Sequence, residues 1–238
     1  MIQHRLGPAH ITWTDRHGGA STGAFATANL GAHVGDDPAT VRHNRTNLAA
    51  TLGLAPPDTW WWLRQIHGAD VLTVRGPSPD TVPTADAAVT RETARPLVVL
   101  TADCAPIALV SDDALAVVHA GWLGLLAGVV EQAAARLRAV GHGPLRAALG
   151  PCIHPDHYPF GADDLARVVA VYGPDVAATT PDGRPALDLP RGVRAALRRA
   201  DITDVHDVDV CTAASPDHFS YRRDGQTGRQ ALVAVLDP

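Results

Sequence analysis

The chain has 238 residues, 46% hydrophobic and 19% charged, enough for one large domain with a packed core or two small ones. A formal net charge of −5 and a pI near 6.1 argue against a nucleic-acid or anionic-membrane partner, which would need a basic face. No apolar run approaches the ~20 residues that span a bilayer, and Met1 to Arg5 lack the start of a secretory signal, so a cytoplasmic protein is expected.

Asp36, Asp37 and Pro38 ahead of Val41, Leu48 and Leu52 predict a capped helix with proline in its first turn. β-type runs follow at 60–65, 71–74, 87–90, 97–100, 107–110 and 114–119, with a Pro-rich loop over 76–85. A helix is predicted over 124–140, a strand over 147–150, helices over 161–172 and 190–200, and strands over 208–211 and 231–236. No internal repeat or long linker divides the chain, so residues 1–238 are read as a single domain. Strands succeed one another through 87–119 without a helix between them. That favours an α+β layered fold over a doubly wound parallel sheet. The G-x-G-x-x-G fingerprint of a dinucleotide-binding domain is absent.

All 20 basic residues are Arg. Without Lys there is no Schiff-base chemistry and no P-loop. Three cysteines, Cys104, Cys152 and Cys211, are too few and too odd in number for a disulfide framework.

Three short segments carry the chemistry: Gln65-Ile66-His67, Asp103-Cys104 and His119-Ala120-Gly121-Trp122. Each holds one strong transition-metal ligand where a predicted strand ends. Two imidazoles and a thiolate suit a tetrahedral Zn²⁺ with one position open, the mark of a catalytic site. Each residue alone has a plainer reading: Cys104 as core, His119 as a satisfied strand-end histidine, His67 as a hairpin residue. Together they point to a metal, and copper could occupy the same His₂Cys set. Trp60-Trp61-Trp62 precedes the first segment. Alternation places Trp60 and Trp62 on one face, as core or as a stacking platform for a flat ligand.

Gln65-Ile66-His67-Gly68, Thr101-Ala102-Asp103-Cys104-Ala105-Pro106, His119-Ala120-Gly121-Trp122 and the run from Ser220 to Arg229 together resemble the bacterial polyphenol-oxidase-like family. Supporting segments are Arg16 to Gly19, Asn29 to Pro38, Asn44-Arg45 and Leu149 to Ile153. Members of that family are also called peptidoglycan editing factors, and purine nucleoside phosphorylases with adenosine deaminase activity. The resemblance implies a layered α/β/β/α sandwich like that of the bacterial deamidating toxins. It also implies zinc held by His67, Cys104 and His119, with a purine nucleoside and phosphate as substrates. Two departures stand out. Leu123 occupies the position where the family usually has Arg after His-Ala-Gly-Trp, and 154–161 lacks the family's further cysteines.

With no Lys, phosphate would meet Arg side chains or helix-terminal N–H groups. Candidate contacts are Arg16, Arg45, Arg222 and Arg223, with Asn29 and Gln65 as further substrate-binding residues. Cys104, His119 and Asp103 are the candidate catalytic residues, and Asp103 would serve equally as a support for a ligand. Two other enzyme readings stay open. Cys104 and His119 could form a nucleophile–base dyad acting on an amide or a peptidoglycan precursor. Phenol oxidation by copper is disfavoured, because no His-x-His pair occurs and the only Met is Met1. A non-catalytic alternative has Cys152 or Cys211 closing a structural zinc site. The partners expected are small molecules, without nucleic acid or membrane, and the oligomeric state is open with a monomer as the default.

Overall fold

The computed structural model describes residues 1–238. In chain order its elements are β1 (Ile2–Leu6), β2 (Ala9–Trp13), α1 (Pro38–Leu52), β3 (Val71–Thr73), β4 (Ala87–Thr90), β5 (Leu97–Thr101), β6 (Ala105–Val110) and β7 (Leu115–Ala120). Then come α2 (Trp122–Leu126), α3 (Val129–Val140), β8 (Arg146–Leu149), α4 (Ala162–Tyr172), β9 (Ala177–Thr179) and β10 (Pro185–Leu187). The chain ends with α5 (Leu189–Arg199), β11 (Val205–Asp207), α6 (Tyr221–Asp224) and β12 (Gln230–Leu236). The fold is thus mixed α/β, with several sheets and few helices. No helix is long and apolar enough to cross a membrane.

One sheet has the order β1-β2-β12-β5 and is antiparallel throughout. A second has the order β11-β8-β6-β7-β4-β3, with parallel pairs only at its two edges. β9 and β10 form a separate ribbon. Alternation along the central strands decides what packs where. Leu97 and Val99 of β5 meet Val110, Leu115 and Val117 in one apolar cluster between the sheets. Their neighbours Val98 and Leu100 face the other way, onto Leu48 and Ala49 of α1 with Trp60 and Trp62. Ile107 and Leu109 of β6 pack against Leu137 of α3 and Val193 and Leu197 of α5. Both central strands are therefore buried on both faces, which is why they read as continuous apolar runs.

The predicted helix at 36–52 forms as α1. Asp37 caps it by accepting from Thr40 N at 2.8 Å, and Gly53 ends it in the left-handed region at φ 64°. Elsewhere the structure corrects the sequence. The helix expected over 124–140 starts at Trp122 and breaks at Gly128, whose φ of 79° cannot continue an α-helix. Residues 60–65 join no ladder. They touch neighbouring chain only at the single bridges Trp61–Leu97 and Arg64–Thr84, and two of their indoles bond to the Ala55 and Pro57 carbonyls. The strand expected at 208–211 lies earlier, as β11, because Asp209 takes φ 55°. The hairpins β1–β2 and β9–β10 were not foreseen.

β6 and β7 are antiparallel neighbours, with Ala105 opposite Ala120 and Pro106 opposite His119. This register brings the start of β6 and the end of β7 to one sheet end, where the 66–68 turn also arrives.

Candidate metal centre

His67, Cys104 and His119 converge at that end of the sheet, and their ligand atoms all lie within 4.8 Å of one another. Cys104 Sγ is 3.7 Å from His67 Nε2. That is close to the ~3.6 Å edge of a tetrahedron with Zn–N near 2.0 Å and Zn–S near 2.3 Å. The two imidazoles meet edge to face, 4.8 Å between centroids at 74°. The donor set and its spacing fit one transition-metal ion. They do not fit a copper cluster, for no other group of three metal-binding side chains occurs.

The residue that organises this centre is Asp86, a fully buried carboxylate at the start of β4. Its Oδ1 accepts from His119 Nδ1 at 2.8 Å and from His67 N at 2.9 Å. Its Oδ2 accepts from Ile66 N at 3.1 Å and Gly68 N at 2.8 Å. One carboxylate thus fixes the ring of one ligand and the backbone of another. It also reserves His119 Nδ1, leaving Nε2 for the metal side. His67 sits at φ 61°, a left-handed conformation that costs about 1–3 kcal/mol for a non-glycine residue, and the Asp86 bonds hold it there. Burial works to raise the Asp86 carboxyl; the His119 imidazole and the Gly68 N–H outweigh it and hold the group below the usual carboxylate range.

Cys104 and His119 stabilise each other's charged forms. Burial opposes ionisation of Cys104, yet His119 and His67 outweigh burial and bring the thiol down to about 6. Burial likewise opposes charge on His119, and the Cys104 sulfur and Asp86 outweigh it and lift the imidazole to about 9. The thiolate is the form that ligates metal. Gly121 lets the ligands close up: a Cβ there would lie 2.9 Å from His67 Cδ2 and 3.0 Å from Cys104 Sγ.

The three ligands open into a cavity of about 620 Å³. Trp62, Trp122, Tyr158 and Tyr221 give it aromatic faces, and His33, Arg45, Arg64, Arg222 and Arg229 give it positive charge. Of the residues expected from sequence, Arg45, Gln65, Asp103 and Arg222 line this cavity with the ligands. Gln65 spends its amide on both backbone groups of Leu100, at 2.8 Å each, and so ties the His67 turn to β5. Asp103, at φ 109°, accepts on both carboxylate oxygens, from Thr212 Oγ1 (2.7 Å) and Arg222 N (2.6 Å). It shapes the turn that presents Cys104.

Other expected residues lie elsewhere. Arg16 donates to Ala26 O at 2.9 Å and covers the Phe219 ring. Asn29 is buried, bracing Gly31 and the Arg229 backbone. Arg223 donates to main-chain carbonyls of Thr212, Ser215 and His218. Leu123 is exposed and does not line the cavity. Cys152 and Cys211 pair with each other across a backbone bridge and stay outside the ligand group, so no second thiol closes the site as a fourth ligand. The sequence reading missed Asp86, His33 and Arg229 as site residues. Asp86 did leave a trace, as a lone carboxylate opening the apolar run Ala85-Asp86-Ala87-Ala88-Val89.

Comparison with known proteins finds relatives over nearly the whole chain. The family model described as multi-copper polyphenol oxidoreductase laccase matches residues 10–237. A purine nucleoside phosphorylase of Streptomyces griseus is 42% identical, with 100% of each chain covered. One of Streptomyces coelicolor is 44% identical, with 96% of each covered. Among solved structures, YlmD from Geobacillus stearothermophilus superposes with a TM-score of 0.88 at 30% identity, over 97% of this chain and 93% of that one.

Proposed function

The chain belongs to the multi-copper polyphenol oxidoreductase laccase family, and from its His₂Cys group and its phosphorylase-named relatives we propose that it is a zinc-dependent purine nucleoside phosphorylase. It converts inosine or adenosine and phosphate to the free base and ribose 1-phosphate, and deaminates adenosine as a second activity. The observation that carries this reading is the convergence of His67, Cys104 and His119 on an aromatic, arginine-lined cavity. Relatives at about 40% identity that bear the phosphorylase name support the substrate class. The reading keeps a layered sandwich like that of the deamidating toxins, as one domain over 1–238; what supports it is α1 packed on one sheet, with α3 and α5 packed on the other.

In this reading His67, Cys104 and His119 hold Zn²⁺, which would supply Lewis-acid polarisation and an activated water. Asp86 keeps His119 in the ligating tautomer and the His67 turn in place. The indole and phenol faces take the flat purine. The arginines take phosphate, the attacking anion, while the bonding pair leaves with the base. A laccase reaction fits the residues less well, because one His₂Cys group cannot seat several copper ions.

The test is direct. Zinc-loaded protein is incubated with inosine and phosphate, and with adenosine, and the products are separated chromatographically. Hypoxanthine and ribose 1-phosphate in equal amounts support phosphorolysis. No purine release from fully loaded protein, or activity on an amide substrate that persists after chelation, would replace it with the Cys104–His119 dyad.

A further inference from the structure

Within the cavity, one concentration of positive charge makes no side-chain ion pair. Arg45 reaches in from α1 and Arg229 from the residue just before β12, and both are braced by the turn at 29–31. Arg45 Nε and Nη2 donate to Leu30 O at 3.0 and 2.7 Å, and its guanidinium lies 3.7 Å from the centroid of the Trp62 ring. Arg229 Nη1 donates to the Thr227 and Gly228 carbonyls at 2.9 Å each, and its backbone N–H to Asn29 Oδ1 at 2.9 Å. Its stem passes so close to Gly31 that a Cβ there would stand 2.8 Å from Arg229 Cγ. His33, from the same turn, lines the cavity beside them.

The partners of both guanidiniums are carbonyls, which orient a cation without neutralising it. Two half-buried, pre-positioned guanidiniums facing one cavity have lost hydration, a cost that a bound anion offsets. Both arginines act on His33: burial first, and then Arg229 and Arg45, hold its imidazole below the usual histidine range. Burial alone brings Arg45 down to about 10. Arg229 is lowered by burial too, and Cys104 and Asp103 work to raise it, so it faces the metal centre. Arg229 Nε and Nη2 and Arg45 Nη1 have no protein partner, which leaves a divided fork of donors suited to a tetrahedral oxyanion.

We propose that Arg45, Arg229 and His33 form the subsite for inorganic phosphate, in the same cavity as the metal ligands, with Arg45 lying on the Trp62 ring. The proposal rests on the phosphorylase reading and adds to it the residues that bind the second substrate. In the reaction a phosphate oxygen forms a bond to C1′ of the ribose as the C1′–N9 bond breaks. The electron pair of that bond leaves with the purine, which ends with the proton that hydrogen phosphate gives up. Arg229, on the metal side, steadies the attacking anion. Arg45, locked on Trp62, fixes its distance from the base.

The experiment measures inorganic phosphate binding by calorimetry and, separately, KM for phosphate and for inosine. The proteins are wild type, Arg229→Met, Arg229→Lys, His33→Gln and Arg184→Gln. Arg184 is an exposed arginine paired with Asp182, outside the cavity, and controls for net charge. Arg229→Met keeps the packed stem; Arg229→Lys keeps charge without the fork and serves if the first variant is unstable. The expected result is a rise of about 10- to 100-fold in phosphate Kd and KM for the Arg229 variants, the loss of one charge-assisted contact set. Inosine KM stays within about twofold, and Arg184→Gln matches wild type. Inosine 5′-monophosphate, offered in place of free phosphate, separates a site for phosphate esters: tighter binding of the ester, with loss on Arg229→Met, would overturn the assignment to inorganic phosphate. Unchanged phosphate affinity in the variants overturns the subsite while leaving the phosphorylase reading intact. Phosphate binding that Arg229→Met abolishes, in a protein that cleaves no nucleoside, would sink the phosphorylase reading and leave the anion site standing.

Discussion

Replacing Asp86 by Asn is the sharpest probe of how the fold builds the metal centre. The carboxylate accepts from four donors, two on each oxygen. An amide supplies one acceptor oxygen and one NH₂ group, so one pair of donors must face NH₂. If NH₂ faces the Ile66 and Gly68 N–H groups, two part-buried donors lose their partner, and full burial sets the upper bound of the cost. At about 1–3 kcal/mol each, the loss is about 2–6 kcal/mol, a large share of a typical domain's stability. If NH₂ faces His119, Nδ1 must turn acceptor and the ring proton moves to Nε2, the nitrogen that has to ligate. Either orientation harms the site. Loss of such a ligand-orienting partner typically lowers metal affinity about 10- to 100-fold. Zinc affinity is read by competition with a chromophoric chelator, the tautomer by ring-nitrogen NMR shifts, and stability by thermal melting. Asp86→Asn with wild-type zinc affinity and an unchanged Tm would refute the role assigned to this carboxylate.

Other predictions follow from the same contacts. Gly121→Ala introduces a methyl at 2.9 Å from His67 and 3.0 Å from Cys104; since Gly121 has an ordinary φ of −81°, the expected outcome is weaker zinc binding with a nearly unchanged melting curve. Cys152→Ala and Cys211→Ser should leave zinc stoichiometry at its wild-type value by elemental analysis, because neither thiol joins the ligand group. In metal-free protein, alkylation of Cys104 by iodoacetamide should be half-maximal near pH 6, where its thiol ionises, and flat above it. Acidification through that value protonates the thiolate, so zinc should be released as pH falls, never as it rises through the same range. A half-maximum near the ordinary thiol value of about 8.5 would show that His119 and His67 do not stabilise the thiolate.

What was legible in the sequence follows from locality. The buried strands β4 to β7 stood out as apolar runs, and α1 carried its Asp37 cap and Pro38 within a few residues. β1 did not stand out, because Gln3, His4 and Arg5 make it a polar outer strand whose sheet is completed by β2 and β12. The segment 60–65 reads as β by composition, yet its partners are single bridges rather than a ladder. The three ligands were recognisable because each stands in a distinctive short motif. Asp86 was not, since its role exists only when the 66–68 turn and the end of β7 arrive around it. Arg229 and His33 are hidden for the same reason: they stand at opposite ends of the chain, and only the packing of the 29–31 turn on the segment before β12 brings them together.

The central claim is that His67, Cys104 and His119 hold one metal ion on which nucleoside cleavage depends. Its most direct test is stepwise addition of zinc to chelator-stripped protein, with bound metal and inosine phosphorolysis followed in the same samples. Activity should rise in proportion to occupancy and saturate at one zinc per chain, and Cys104→Ala should lose both. Full phosphorolysis in the stripped protein, or zinc held with wild-type affinity by Cys104→Ala, would contradict it.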